Sequence, residues 1–297
     1  LCIMSIYRKR RWLMNLLEVK GLTKHYPTFS LEDVTFSLEP GYIMGFIGKN
    51  GAGKTTTMKL IYRILSKEKG DVFFQGENMD ALDEMKMKEE ISLLLGGQNF
   101  YPLSTLKKIK EVTKNFYSHF DEEMYQKLST QFELDENKKF NELSNGMKTK
   151  FQLALCLSHN AKLLLLDEPT SGLDPYSRQE ILRLFQKYIE DGNHSILFST
   201  QIVSDLESVA DYITYIKKGK IVKTADKESF LAAYILVKGS LEELQEVDSS
   251  LFIGLQKNKF SFTALIHSED SHSFDGLLME PPNLEEIMYL MEGGIEE

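Results

Sequence analysis

The chain has 297 residues, enough for one large domain or a main domain with an appendage, and its 42% hydrophobic content supplies a sizeable core. A formal charge of −9 at pH 7 argues against a protein that coats nucleic acid, because such binding rests on basic patches facing phosphates, so no nucleic-acid partner is expected. No apolar run approaches the ~20 residues that span a bilayer, and Cys2 and Cys156 form no disulfide framework and fit a reducing compartment.

Residues 1–13 read as a non-native leader. Arg8, Lys9, Arg10 and Arg11 precede Trp12, and Arg-Arg-Trp can be encoded by AGG-AGG-TGG, a bacterial ribosome-binding sequence. Met14 follows at suitable spacing, so translation is expected to start there. The other reading is a basic targeting arm, but no apolar signal-peptide core follows it.

From Met14 the pattern is strand-rich. Residues 16–20 predict a short strand, and 34–39 alternate apolar and polar like a half-buried strand. Pro40-Gly41 breaks it. Residues 43–47 form a continuous apolar run, which suits a strand buried on both faces. A glycine-rich turn over 48–53 then leads into a helix with Met58, Ile61, Ile64 and Leu65 at helical spacing. Strands are predicted at 71–75 and 91–95, and 105–140 turns helical and charged.

Strand–helix alternation resumes at Leu163. The helix after Pro175 has Asp174 at its cap and Ile181, Leu184, Phe185 and Tyr188 on one face. Residues 195–199 predict the next buried strand, and the short run 231–237 suits a buried strand or a helix segment. Beyond it, Ser240-Leu241-Glu242-Glu243 and Asn283-Leu284-Glu285-Glu286 match capping boxes that open amphipathic helices. Between them Phe260, Phe262, Ala264 and Ile266 alternate as a strand.

These elements predict an α/β fold: a mostly parallel core sheet, an antiparallel β start, a helical subdomain and a small α+β appendage. The expected divisions are 14–237, with the helical part at about 97–145, and 238–297.

Gly48-Lys49-Asn50-Gly51-Ala52-Gly53-Lys54-Thr55 fits GxxxxGK[ST]. Glycines let successive backbone N–H groups curl toward phosphate oxygens, and the helix that follows adds its N-terminal dipole. Lys54 is expected to reach the β- and γ-phosphates and the Thr55 hydroxyl to hold Mg²⁺. A glycine-rich turn with a chance Lys-Thr is the bland reading, which the flanking strand and helix disfavour. Leu163-Leu164-Leu165-Leu166-Asp167-Glu168 delivers two carboxylates at the end of a buried strand, where open α/β sheets bind ligands. Asp167 would orient the Mg²⁺ shell and Glu168 would polarise the attacking water.

With Leu143-Ser144-Asn145-Gly146-Met147 located 23 residues before Asp167 by Ser144, the chain resembles the ABC ATPases from residue 16 to about 231. That segment is similar to the family's LSGGQ signature, with Asn145 and Met147 departing from it. The resemblance implies a P-loop cassette that binds ATP and Mg²⁺ and hydrolyses ATP with Glu168 as base. ATP contacts are implied at Gly48, Asn50, Gly51, Ala52, Gly53, Lys54, Thr55 and Thr56. Ser144, Asn145 and Gly146 would face the γ-phosphate bound by an opposite subunit. Ser171-Gly172-Leu173-Asp174 resembles the D-loop, and Asp174 is equally a helix cap. Tyr26 sits where the family places an aromatic on adenine, or else is a partly buried loop tyrosine.

Two positions depart from the family. Gln201 stands where a histidine usually contacts the γ-phosphate; its amide can donate a hydrogen bond but cannot become cationic, so slower hydrolysis is expected. Gly96 stands where the family's metal-side glutamine belongs, and Gln98 either takes that place in the metal shell or is a surface glutamine.

One cassette, with no long heptad segment and no zinc-finger cysteines, disfavours the soluble branches of the family. Segments around 143–150, 198–200, 237–243 and 281–288 resemble the bacterial export type related to bacitracin-resistance transporter ATPases. The resemblance implies a second ATPase subunit, identical or related, and an integral-membrane permease at the inner face of the cell membrane, with the chain itself cytoplasmic. The rival reading is a soluble regulatory ATP switch.

Overall fold

The hydrophobic patterning resolves into three sheets in the computed structural model, which describes residues 14–96 and 101–293. The expected leader and Gln98 lie outside the described residues.

The first sheet is antiparallel, in the order β2-β1-β4-β5, from β1 (Leu17–Tyr26), β2 (Phe29–Leu38), β4 (Lys69–Phe74) and β5 (Glu77–Asn78). In β2 the buried side chains are Leu31, Val34, Phe36 and Leu38. β1 is longer than the predicted 16–20 because its pairing slips between Val19 and Leu22, around Gly21 at φ 63°. Two buried residues three apart hide the period of two, as a bulge does.

The second sheet has the order β10-β9-β3-β8-β7-β6. Its strands are β3 (Ile43–Ile47), β6 (Ile91–Leu94), β7 (Leu163–Asp167), β8 (Ser195–Ser199), β9 (Tyr212–Lys217) and β10 (Lys220–Asp226). All neighbours are parallel except β10 on β9. Every residue of β3, β7 and β8 is buried, which is why these strands read as unbroken apolar runs.

Their alternate side chains feed two cores. Met44, Phe46, Leu163, Leu165 and Leu197 pack with the antiparallel sheet and with α1 (Lys54–Ile61) and α2 (Glu84–Glu90). Ile43, Ile47, Leu164, Leu166, Ile196 and Phe198 pack on the other face. There they meet α3 (Leu106–Lys114), α4 (Glu122–Gln131), α5 (Asn145–Ser158), α6 (Pro175–Tyr188) and α7 (Val203–Val209). α1 stops before the predicted Ile64 and Leu65. Arg63 turns to φ 60° and its guanidinium donates to the carbonyls of Met79 and Leu82, leaving Ile64 51% exposed.

The run 231–237 divides between α8 (Lys227–Ala232) and β11 (Tyr234–Ser240), so the boundary expected at 237/238 falls inside a strand. β11 joins β12 (Gly254–Lys257), β13 (Ser261–His267) and β14 (Leu278–Glu280) in the antiparallel order β12-β13-β11-β14. The Ser240 box makes both its bonds, Glu243 N–H to Ser240 Oγ at 3.2 Å and Ser240 N–H to Glu243 Oε2 at 2.7 Å. Only two separate 3-10 turns follow, Glu243–Gln245 and Ser249–Leu251, because Leu244, Val247, Leu251 and Phe252 fold onto the small core of this sheet. The Asn283 box does open a helix, α9 (Leu284–Met291). Its Leu284, Ile287, Leu290 and Met291 enter the main core beside Leu206, Tyr215 and Phe230.

Candidate nucleotide site

The site forms where β3, β7 and β8 end side by side. β3 runs into the 48–53 turn, which is pressed against β9: a Cβ at Gly48 would lie 2.3 Å from the Ile216 carbonyl oxygen. The Gly219 N–H donates to the Ala52 carbonyl at 3.0 Å, and the Glu32 N–H to the Gly219 carbonyl at 2.9 Å. The loop is therefore tied through the β9–β10 turn to the antiparallel sheet. Lys54 opens α1 almost fully buried, and its ammonium donates to the carbonyls of Gly48 at 2.7 Å and Lys49 at 3.2 Å. Burial lowers its pKa, opposed by Glu168, Asp167 and Glu292.

Thr55 Oγ1 donates to Asp167 Oδ2 at 2.6 Å, and Ser199 Oγ donates to Asp167 Oδ1 at 2.5 Å. Asp167 is buried at the end of β7 with both oxygens engaged. Glu168 follows at φ 52°, its N–H on the Ser199 carbonyl at 2.9 Å. Its Oε2 accepts from the Gln201 N–H at 3.3 Å, and its buried Oε1 has no partner among the described residues. Burial raises the pKa of Glu168, opposed chiefly by that Gln201 N–H and then by Lys54. The arrangement offers a half-buried carboxylate with one oxygen free to accept a proton, beside a second carboxylate and a hydroxyl suited to a hard cation.

The structure thus brings together Gly48, Lys54, Thr55, Asp167, Glu168 and Gln201. Asn50 and Gly51 are exposed at the loop crest, Ala52 and Gly53 are buried beneath it, and Thr56 is half-buried in the first turn of α1. Tyr26 is exposed on the β1–β2 turn and stacks on Phe29 at 6.3 Å between centroids. The Phe29 ring lies 3.1 Å from where a Cβ on Gly53 would sit, so Tyr26 is one ring away from the loop. Gly96 abuts the carboxylate pair, with its Cβ position 3.4 Å from the Asp167 carbonyl.

Ser144 caps α5, accepting from the Met147 N–H at 3.3 Å, and both Ser144 and Asn145 are exposed. A Cβ at Gly146 would lie 3.4 Å from Leu173, so the start of α5 adjoins the 171–174 loop. Among the described residues, no hydrogen bond joins 144–146 to the 48–55 loop. Asp174 caps α6, accepting from the Ser177 N–H at 3.0 Å and its hydroxyl at 2.6 Å.

Sequence reading missed three partners. Ser199 was legible in principle, as a hydroxyl ending the strand whose register faces Asp167. Asp205, buried on α7, accepts from Thr170 Oγ1 at 2.7 Å and Arg178 at 2.5 Å and so fastens both flanks of the 171–174 loop. Glu292 meets the loop at Lys49. Neither carboxylate belongs to a local pattern.

A profile of the ABC transporter family matches residues 31–171. The ABC transporter ATP-binding protein YtrB of Bacillus subtilis (strain 168) is 29% identical over 89% of this chain and 93% of its own. The bacitracin transport ATP-binding protein BcrA of Bacillus licheniformis is 30% identical over 71% of this chain and 70% of its own. Among solved structures, an ATP-binding subunit of an ABC transporter superposes with a TM-score of 0.66 at 26% identity, covering 72% of this chain and 91% of that one.

Proposed function

The chain belongs to the ATP-binding subunits of ABC transporters and is an ATPase, and from that premise we propose that it dimerises around ATP to drive a separate exporter permease. The single observation that carries this reading is a hydrolytic half-site assembled within the chain while the signature is exposed and, among the described residues, makes no hydrogen bond to it. Lys54, Thr55, Asp167 and Glu168 converge, whereas Ser144 and Asn145 are exposed at a helix start. A helix N-terminus whose capping hydroxyl is exposed is suited to the γ-phosphate of an opposing subunit.

In this scheme the 48–55 loop takes the phosphates, Tyr26 the adenine, and Glu168 Oε1 accepts a proton from the attacking water. Gln201 orients Glu168 through its N–H and offers its amide to the γ-phosphate. Asp174 serves first as the cap of α6, and the 171–174 loop beside Gly146 would sense the partner. The Thr55 hydroxyl and Asp167 carboxylate form a hard-oxygen pair that fits Mg²⁺, which keeps few protein ligands and takes the rest from phosphates and water. When bound, the ion would neutralise charge on the β- and γ-phosphates. Gln98 would complete that shell. Residues 14–237 would act as the cassette and 238–297 as an accessory unit.

Among the described residues no helix is long and apolar enough to cross a membrane. In this reading the permease is a separate protein and the chain docks on it at the inner face. The bacitracin transport relative supports a role in transport, and the export direction rests on the resemblance of the 143–150, 198–200, 237–243 and 281–288 segments to the bacterial export type.

The test is Glu168→Gln with saturating ATP and Mg²⁺, followed by light scattering. A stable nucleotide-loaded dimer is expected, and a monomer would refute the scheme. Co-purification with a multi-span membrane protein separates it from a soluble ATP switch.

A further inference from the structure

The C-terminal helix reaches back to the phosphate loop. The start of α9 is tied to α7, where Glu207 Oε1 accepts from the Leu284 N–H at 2.7 Å. The chain leaving its other end meets the loop itself. Lys49 Nζ donates to the Glu292 carbonyl at 3.0 Å and lies 3.7 Å from the Glu292 carboxylate. Tyr215 on β9 donates its hydroxyl to the other carboxylate oxygen at 2.9 Å, and Lys217 donates to the Met291 carbonyl.

Glu292 is thus held from two sides, its side chain only 11% exposed. Its charge also acts on Lys54, together with those of Glu168 and Asp167. Those two belong to the hydrolytic half-site; Glu292 lies 243 residues from Lys49 and in no motif.

We propose that Glu292 is an affinity-setting residue of the nucleotide site, whose fixed negative charge, tethered to Lys49, penalises ligands in proportion to their phosphate charge. This rests on the reading that the 48–55 loop takes the phosphates of ATP. A carboxylate at the rim of an anion cradle repels each phosphate within a Debye length, and partial burial weakens the screening. It also occupies Lys49, whose charge would otherwise act on the ligand. The docking of α9, which holds Glu292 against Lys49, therefore sets the affinity.

The experiment is calorimetric titration of the full chain with ATP, ADP and adenosine, without Mg²⁺, at low and high salt. Glu292→Gln keeps an oxygen for the Tyr215 hydroxyl while removing the charge. It is expected to tighten ATP on the order of threefold to tenfold, ADP less and adenosine not at all, with the gain fading in high salt. Glu292→Asp keeps the charge and is expected to bind like the unsubstituted protein. A smaller gain with the same order of ligands is expected when Glu292→Gln is added to Lys49→Gln, because no lysine is then released and only the repulsion is removed. Unchanged or weaker ATP binding in Glu292→Gln, or an equal shift for all three ligands, would overturn the proposal alone. An unsubstituted chain that binds adenosine and ATP equally would overturn the phosphate reading of the loop and this proposal with it.

Discussion

Gly48→Ala sets the geometry of the phosphate loop against its backbone conformation. A Cβ at Gly48 would lie 2.3 Å from the Ile216 carbonyl, against an ordinary contact of 3.4 Å, a shortfall of about 1.1 Å (3.4 − 2.3). The obstacle is backbone of β9, whose Tyr215 is paired with Ile47 of β3, so it cannot give way like a side chain. The loop must move instead, and it is pinned by the Gly219–Ala52 hydrogen bond. A displacement of that size between a catalytic group and its substrate can cost about 100-fold in rate. Overpacking adds about 1–3 kcal/mol of destabilisation, or a few degrees of melting temperature in a chain of this size. Gly51→Ala is the internal control. Gly51 has φ 79° and, among the described residues, no atom within 4 Å of its Cβ position, so the left-handed backbone cost of about 1–2 kcal/mol is the one that applies. ATP turnover and melting temperature of both variants should differ accordingly, with Gly48→Ala lower by about tenfold or more. Equal turnover in the two variants, or Gly48→Ala at the unsubstituted rate, would refute the claim that contact with β9 fixes the loop.

Two further outcomes follow from the same site and its surroundings. Gln201→His supplies a side chain that can carry charge next to Glu168, so steady-state ATP turnover should rise on the order of tenfold; an unchanged rate contradicts the role given to Gln201. His159 is 2% exposed and stacked on Tyr117, and burial pulls its pKa from 6.5 to about 4. The unfolded chain binds its proton below pH 6.5 and the folded chain only below about 4. Stability is therefore full above that window and falls as the pH drops through it, by roughly 3 kcal/mol at most for a shift of this size. Urea melts of His159→Phe across the window should show a flatter pH slope; an identical slope would remove His159 from the account.

Most elements were legible because their physics is local. A strand buried on both faces must be apolar at every position, so Ile43–Ile47 and Ser195–Ser199 emerged with their observed bounds. Asp174 and Asn283 announced helices because a cap bonds only three residues ahead. Where local signals failed, packing overruled them. Ser240 and Glu243 make a full capping box, but the apolar side chains beyond are drawn onto the C-terminal sheet and the helix never propagates.

The sequence by itself determined the phosphate loop and the Asp167–Glu168 pair, since a cradle of consecutive N–H groups needs its glycines, lysine and threonine contiguous, and a strand end delivers neighbouring carboxylates together. Only the tertiary structure decided that Ser199 engages Asp167, that Asp205 fastens Thr170 to Arg178, and that Glu292 meets Lys49. Those contacts depend on which strand lies beside which and on where α9 docks. Charge and hydroxyl pairing act through space, at separations along the chain that leave no periodic trace.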